Sequence, residues 1–138
     1  MELLHKDITD KILKAFYDVY NILGCGFLEK VYENALFHEL NEMGLLCERQ
    51  KSINVYYKNK KVGVYFADII AENCVIIEIK AAEVIMEEHK YQLINYLKAT
   101  GIEVGLLLNF GKKAEFKRKI FQRNLCKSVK SASSTFYK

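Results

Sequence analysis

The chain has 138 residues, 51% of them hydrophobic and 28% charged, which is enough apolar content to bury one domain's core and too much for a disordered chain. No apolar run reaches the ~18 residues that a membrane span needs, and the start, MELLHKDITDK, shows no secretory leader. The formal net charge of +4 is uneven: residues 1–110 carry 12 basic and 16 acidic residues, and residues 111–138 carry nine and one. An acidic body with a basic tail suggests a polyanion partner held near an acidic site.

The first predicted element is a helix over about residues 4–22, where Ile8, Ile12, Phe16, Val19 and Tyr20 recur at helical steps. Gly24-Cys25-Gly26 breaks it. A second helix is expected from about Phe27 to Met43, stopped by Gly44. The period then changes. Residues 46–57, 62–71 and 74–80 read as three strands of a meander, with Lys58–Lys61 as a polar hairpin turn and Glu72-Asn73 turning the chain again. Residues 84–99 return to a helical pattern. Glu103–Phe110 is nearly all apolar, as in a strand buried on both faces. Residues 114–126 are expected as a short basic helix. The order is an α/β layout with helices packed on a small mixed sheet. The expected domain covers residues 1–126, and the Ser- and Lys-rich stretch 127–138 is expected to fray.

Four cysteines, Cys25, Cys47, Cys74 and Cys126, have neither Cys-x-x-Cys nor Cys–His ligand spacing. That argues against zinc or a disulfide scaffold and fits a reducing cytoplasm. Chemistry is instead suggested by charged groups on apolar strands. Glu78 and Lys80 point the same way at the end of the third strand, and Ile77 and Ile79 point the other way. Asp68 interrupts the apolar run of the preceding strand. A three-residue turn centred on Asn73 sets Ala71 against Val75 and Asp68 opposite Glu78, with Cβ atoms ~5 Å apart; a two-residue turn offsets the two acids. Carboxylates that close repel unless a cation lies between them, and Mg²⁺ commonly takes one or two carboxylates plus water and phosphate oxygens. Lys80 is placed to orient a water or offset charge on a phosphate.

On the second helix, steps of about 100° put Glu29 inside the apolar arc of Leu28, Tyr32, Leu36 and Leu40, and Glu33 at its edge. Glu29 also stands in the first turn, where the helix dipole favours an anion. On the third helix His89, Gln92, Leu93 and Tyr96 share a face, which makes His89, Gln92 and Tyr96 polar candidates among core positions.

Gly26-Phe27-Leu28-Glu29-Lys30-Val31-Tyr32 reads G-x-x-E-x-x-Y. It is followed in order by Glu48-Arg49-Gln50, Ala67-Asp68, Glu78-Ile79-Lys80-Ala81, His89 with Gln92 and Tyr96, and Gly105–Phe110. The chain thereby resembles the GxxExxY proteins, a branch of the PD-(D/E)XK nuclease superfamily, over roughly Ile8 to Phe110. The resemblance implies a restriction-endonuclease-like core of a helix, a three-strand meander, a helix and a further strand. It implies Asp68 as the metal-binding aspartate, Glu78 and Lys80 as the (D/E)-x-K acid and lysine, Glu29 as the helical acid with Glu33 as its rival, and Gln92 as a helical glutamine of the catalytic set. Cys25 and Phe66 depart from the family's usual proline and arginine at those places.

The resulting expectation is a Mg²⁺-dependent nuclease, with Mn²⁺ as a substitute, that hydrolyses DNA phosphodiester bonds. Asp68, Glu78 and Glu29 hold the metal, and Lys112, Lys113, Lys117, Arg118, Lys119 and Arg123 hold the phosphate backbone. RNA is the alternative nucleic acid, and cutting both strands together needs a homodimer. The competing readings are a non-catalytic nucleic-acid- or protein-binding module on the same fold, and an assembly built through strand Val104–Phe110.

Overall fold

The computed structural model describes residues 4–122. In chain order the elements are α1 (Lys6–Leu23), α2 (Glu29–Glu42), β1 (Cys47–Tyr57), β2 (Lys60–Ala71), β3 (Val75–Lys80), α3 (Glu87–Thr100), β4 (Val104–Phe110) and β5 (Ala114–Ile120). One sheet has the strand order β1-β2-β3-β4-β5. The first three strands form an antiparallel meander, β3 and β4 are parallel across α3, and β5 returns antiparallel to β4. This is the expected mixed sheet flanked by helices.

Period-two alternation divides the core between two faces. Ile77, Ile79, Leu106 and Leu108 face α1 and α2, where they meet Ile12, Phe16, Leu36 and Leu40. Ile76 and Leu107 face α3, where they meet Leu93 and Leu97. Every residue of β4 is buried, so that strand is central and cannot serve as an assembly edge; its apolar character comes from helices on both sides.

Residues 114–120 form an edge strand, which corrects the expected helix over 114–126. Ala114 and Phe116 pack on the α1/α2 side, and the intervening Glu115, Lys117 and Lys119 alternate with them. The charged side chains masked a period of two, and charge on an edge strand also opposes pairing with further chains. Arg123, Cys126 and the expected tail lie outside the described residues.

Three local devices position the ends of β3 and α2. Gly24 and Gly26 take φ of 70° and 111°, angles that residues with a Cβ rarely adopt. The Tyr32 hydroxyl closes the loop they make, donating to Gly24 O at 2.6 Å and accepting from the Phe27 N–H at 3.2 Å. The Tyr32 ring stacks on Phe110 at 4.3 Å, and Phe16 meets Phe110 edge-on at 4.8 Å. Beyond β3, the buried Asn109 carboxamide accepts from Ala82 N–H and donates to Ala82 O, each at 2.9 Å. Gly111 lies so close that an added Cβ would stand 2.3 Å from Ala82 O.

Asn109→Ala strands both Ala82 backbone groups in a partly buried site. It should cost about 2 kcal/mol of stability, read from urea unfolding; an unchanged midpoint would show that the clamp carries no weight.

Candidate active site

The β2–β3 ladder pairs Ala71 with Val75, Ile70 with Ile76 and Ile69 with Ile77, and goes no further. This is the register of the three-residue turn. Asp68 and Glu78 stand at the next rung, where side chains replace the ladder. The Asp68 N–H donates to Glu78 Oε2 at 3.0 Å, and the Ile79 N–H donates to Asp68 Oδ2 at 2.8 Å. Each carboxylate thus fills the gap where the strands part and satisfies an amide of the other strand. Glu78 is buried, at 6% exposure, and Asp68 is half-buried.

Two like charges in a shielded wedge hold their protons tightly. Burial, then the Asp68 charge, pushes the Glu78 carboxyl up to about 8, against a weaker downward pull from the Asp68 amide and from Lys80. Asp68 is also raised, first by burial, with Glu33 and Glu29 adding to the shift while the Ile79 amide and Gln50 oppose it. Tyr96 of α3 is pushed up to about 12, by burial first and then by Glu78 and Asp68. Lys80, two residues beyond Glu78 on the same face of β3, is half-buried.

The helical acids exchange the places expected of them. Glu29 is exposed, and Glu33 is buried at 5% exposure. Leu28, the origin of the expected arc, is 80% exposed because it precedes the first helical residue and does not pack. The buried stripe is Tyr32, Glu33, Leu36 and Leu40. Glu33 is already engaged: Arg49 Nε and Nη2 donate to its Oε2 at 3.2 and 3.1 Å, and Gln50 Nε2 donates to its Oε1 at 3.0 Å. Glu29 acts on Asp68 and Glu78 only through its charge.

Gln50 is the residue that periodicity could not single out. It has φ of 48° inside β1, a left-handed angle uncommon for a residue with a side chain. From there its amide also donates to Asp68 Oδ1 at 3.3 Å, so it ties Glu33 to Asp68. The available signal was its adjacency to Arg49 and its place in the ordered motif set. Arg49 also lies 4.8 Å over the Phe37 ring.

Other candidates fall elsewhere. The His89 Nδ1 accepts from the Met86 N–H at 3.1 Å and caps the start of α3. Gln92, half-buried, and Tyr96 line a cleft between α3 and the β1–β2 hairpin. The basic residues form no helical stripe. Arg118 turns back onto the Leu4 carbonyl, Lys112 lies 3.7 Å from Glu83, and Lys113 is exposed. Lys117 and Lys119 lie within electrostatic range of Glu87 at the start of α3.

Among the described residues, no three His, Cys, Asp or Glu side chains converge as a ligand set. What the fold brings together is a pair of carboxylates with Lys80 nearby. Glu78 Oε1 carries no protein hydrogen bond among the described residues, so the pair retains an oxygen for a hard cation that completes its shell with water or phosphate.

A family model described as the PD-(D/E)XK nuclease superfamily matches residues 6–120. The chain belongs to that superfamily. A crystal structure of SSO0001 is similar to it with a TM-score of 0.53 and 21% identity, over 77% of this chain and 56% of that one. An alkaline exonuclease from Laribacter hongkongensis is similar with a TM-score of 0.50 and 13% identity, over 78% of this chain and 63% of that one. At these identities the likeness is one of fold. The chain covers less than two thirds of either structure's length. No curated protein matches the sequence.

A carboxyl whose folded pKa stands above its unfolded value binds its proton more tightly when folded. Stability of the metal-free protein should therefore fall as pH rises from about 4.5 toward about 8. Glu78→Gln should flatten that slope and leave the variant more stable than the parent at pH 8. Chemical unfolding in EDTA at several pH values reads both; a parallel pair of curves would contradict the burial-driven shift.

Proposed function

We propose that this protein is a divalent-metal-dependent deoxyribonuclease of the GxxExxY branch, acting in the cytoplasm with Mg²⁺ and accepting Mn²⁺. The observation that carries this reading is the Asp68–Glu78 pair, cross-bonded to the opposite strand's amides and standing beside Lys80. Superfamily membership supports it. No described helix is long and apolar enough to cross a membrane.

Asp68 and Glu78 would hold the cation, and Glu29 would add negative charge from the start of α2. A bound divalent ion supplies a more acidic water and draws charge from a phosphate oxygen. The attacking water oxygen would form the new bond to phosphorus and lose its proton to solvent or a nearby base, while the bond to the departing sugar oxygen breaks and that oxygen takes a proton from solvent. Lys80 offsets the charge that builds on the phosphate. Gln50, bonded to both Glu33 and Asp68, keeps the Asp68 carboxylate oriented, and Arg49 balances Glu33 so that this acid does not compete for the cation. Gln92 would orient the substrate strand. Lys113, Lys117 and Lys119 would contribute to phosphate attraction that weakens with salt.

Cleavage should require Mg²⁺ or Mn²⁺ and stop with EDTA. Lys80→Ala should lower the rate about 10²–10³-fold, and Asp68→Ala should lower it at least as much, with circular dichroism and melting showing both variants folded. DNA and RNA substrates, single- and double-stranded, are tested side by side. Failure of the purified protein to cut any of them with either metal leaves the non-catalytic module as the reading, and persistent cutting by both variants refutes the assigned roles.

A further inference from the structure

β1 and β2 run for 11 and 12 residues, whereas β3 has six and pairs with β2 only over Ile69–Ala71. The outer half of the β1–β2 hairpin therefore stands beyond the sheet as an arm. Its tip is a two-residue turn, Lys58-Asn59, with φ of 49° and 67° and Tyr57 paired to Lys60, the geometry of a tight hairpin turn with two left-handed residues. Between this arm and α3 lies an open cleft of about 620 Å³.

Its walls are unusual for a solvent-facing groove. Tyr56 and Tyr65 come from the arm and Tyr91 and Tyr96 from α3. Tyr56, Tyr65 and Tyr91 are 60%, 47% and 64% exposed, so their rings are uncovered. Tyr65 and Tyr96 lie 5.5 Å apart, and Tyr96 feels the charges of both Glu78 and Asp68. Tyr96 therefore marks the end of the cleft that lies within electrostatic range of the acid pair. Carboxamides of Asn54, Gln92 and Asn95 stand among the rings, each offering a donor and an acceptor of the kind that reads base edges. Glu88 also lines the cleft and disfavours phosphate against that wall. Cations sit at the arm's tip: Lys58, Lys60 and Lys61 are exposed, and Lys58 lies 5.4 Å from the Tyr57 ring.

We propose that this cleft holds the unpaired bases of a single DNA strand, stacked on Tyr65 and Tyr91, while the arm's lysines take its phosphates and its backbone passes the Asp68–Glu78 pair. The inference rests on the nuclease reading above and names its substrate. Uncovered aromatic rings bind base faces whatever the sequence. In a duplex those faces are already covered by neighbouring bases, so the rings select unpaired strands.

Fluorescence anisotropy in EDTA measures binding without cleavage, using labelled oligo(dT), an abasic oligomer of the same length and a blunt duplex. The single strand should bind about tenfold tighter than either competitor. Tyr91→Ala, at a solvent-facing position that folding does not need, should weaken oligo(dT) about tenfold and leave the abasic oligomer unchanged; Tyr91→Phe should restore it. Equal binding of the three ligands, or oligo(dT) binding unaffected by Tyr91→Ala, overturns the proposal. So does self-association in sedimentation that Tyr91→Ala abolishes, which would assign the cleft to a second copy. A protein that binds oligo(dT) as described but cuts nothing refutes the nuclease reading alone. One that cuts single strand and duplex alike, with Tyr91→Ala equally active, refutes this inference alone.

Discussion

Two carboxylates share one wedge where β2 and β3 part, and both are held there by backbone amides of the opposite strand. The turn through Glu72, Asn73 and Cys74 sets that register. Once Ala71 faces Val75, Asp68 and Glu78 meet at the next rung, Glu78 held by burial and Asp68 by its bonds from the Ile79 amide and Gln50. Burial first pushes both toward the neutral form, with the Asp68 charge adding to the shift at Glu78 and the charges of Glu33 and Glu29 adding to it at Asp68. Such a pair is costly while both acids are charged and nothing lies between them, and a cation between them would relieve that cost.

The surrounding structure keeps the wedge from relaxing. Tyr32 pins the Gly24–Phe27 loop and stacks on Phe110, which fixes where α2 begins. From that helix Glu33 reaches Arg49 and Gln50, and Gln50 reaches Asp68. On the far side Asn109 clamps Ala82 immediately beyond Lys80. The route from α2 to Asp68 through Glu33 and Gln50 is therefore one of direct contacts. It runs through a backbone angle at Gln50 that a strand would not choose for itself.

Four of the five strands and the three helices were legible because each rests on local periodicity, whereas the Asp68–Glu78 pairing was legible as one of two registers, since periodicity does not fix the length of the turn. The rest depended on geometry that local patterns do not carry. The helical wheel put Glu29 inside the apolar arc and Glu33 at its edge, and angle alone keeps Glu29 there; Glu29 is exposed because it is the first residue of α2, one turn before the packed stretch begins at Tyr32 and Glu33. The strand at Ala114–Ile120 was hidden by long charged stems whose alternation looks like a basic helix. Gln50 offered no periodic signal, since its role comes from a left-handed angle. The cleft needed the hairpin's excess length over β3, a relation between strands that no single segment encodes.

The central claim is that the Asp68–Glu78 wedge is built for a doubly charged ion. Carbon-13 NMR of labelled glutamate side chains follows the Glu78 carboxyl directly through a pH titration, with and without Mg²⁺. An ion seated between the two acids would bring its midpoint down from about 8 into or below the ordinary carboxylate range, and the shift would vanish in Asp68→Asn. A midpoint that stays in place at saturating Mg²⁺ would mean that the pair is a buried proton-sharing couple with no place for a metal.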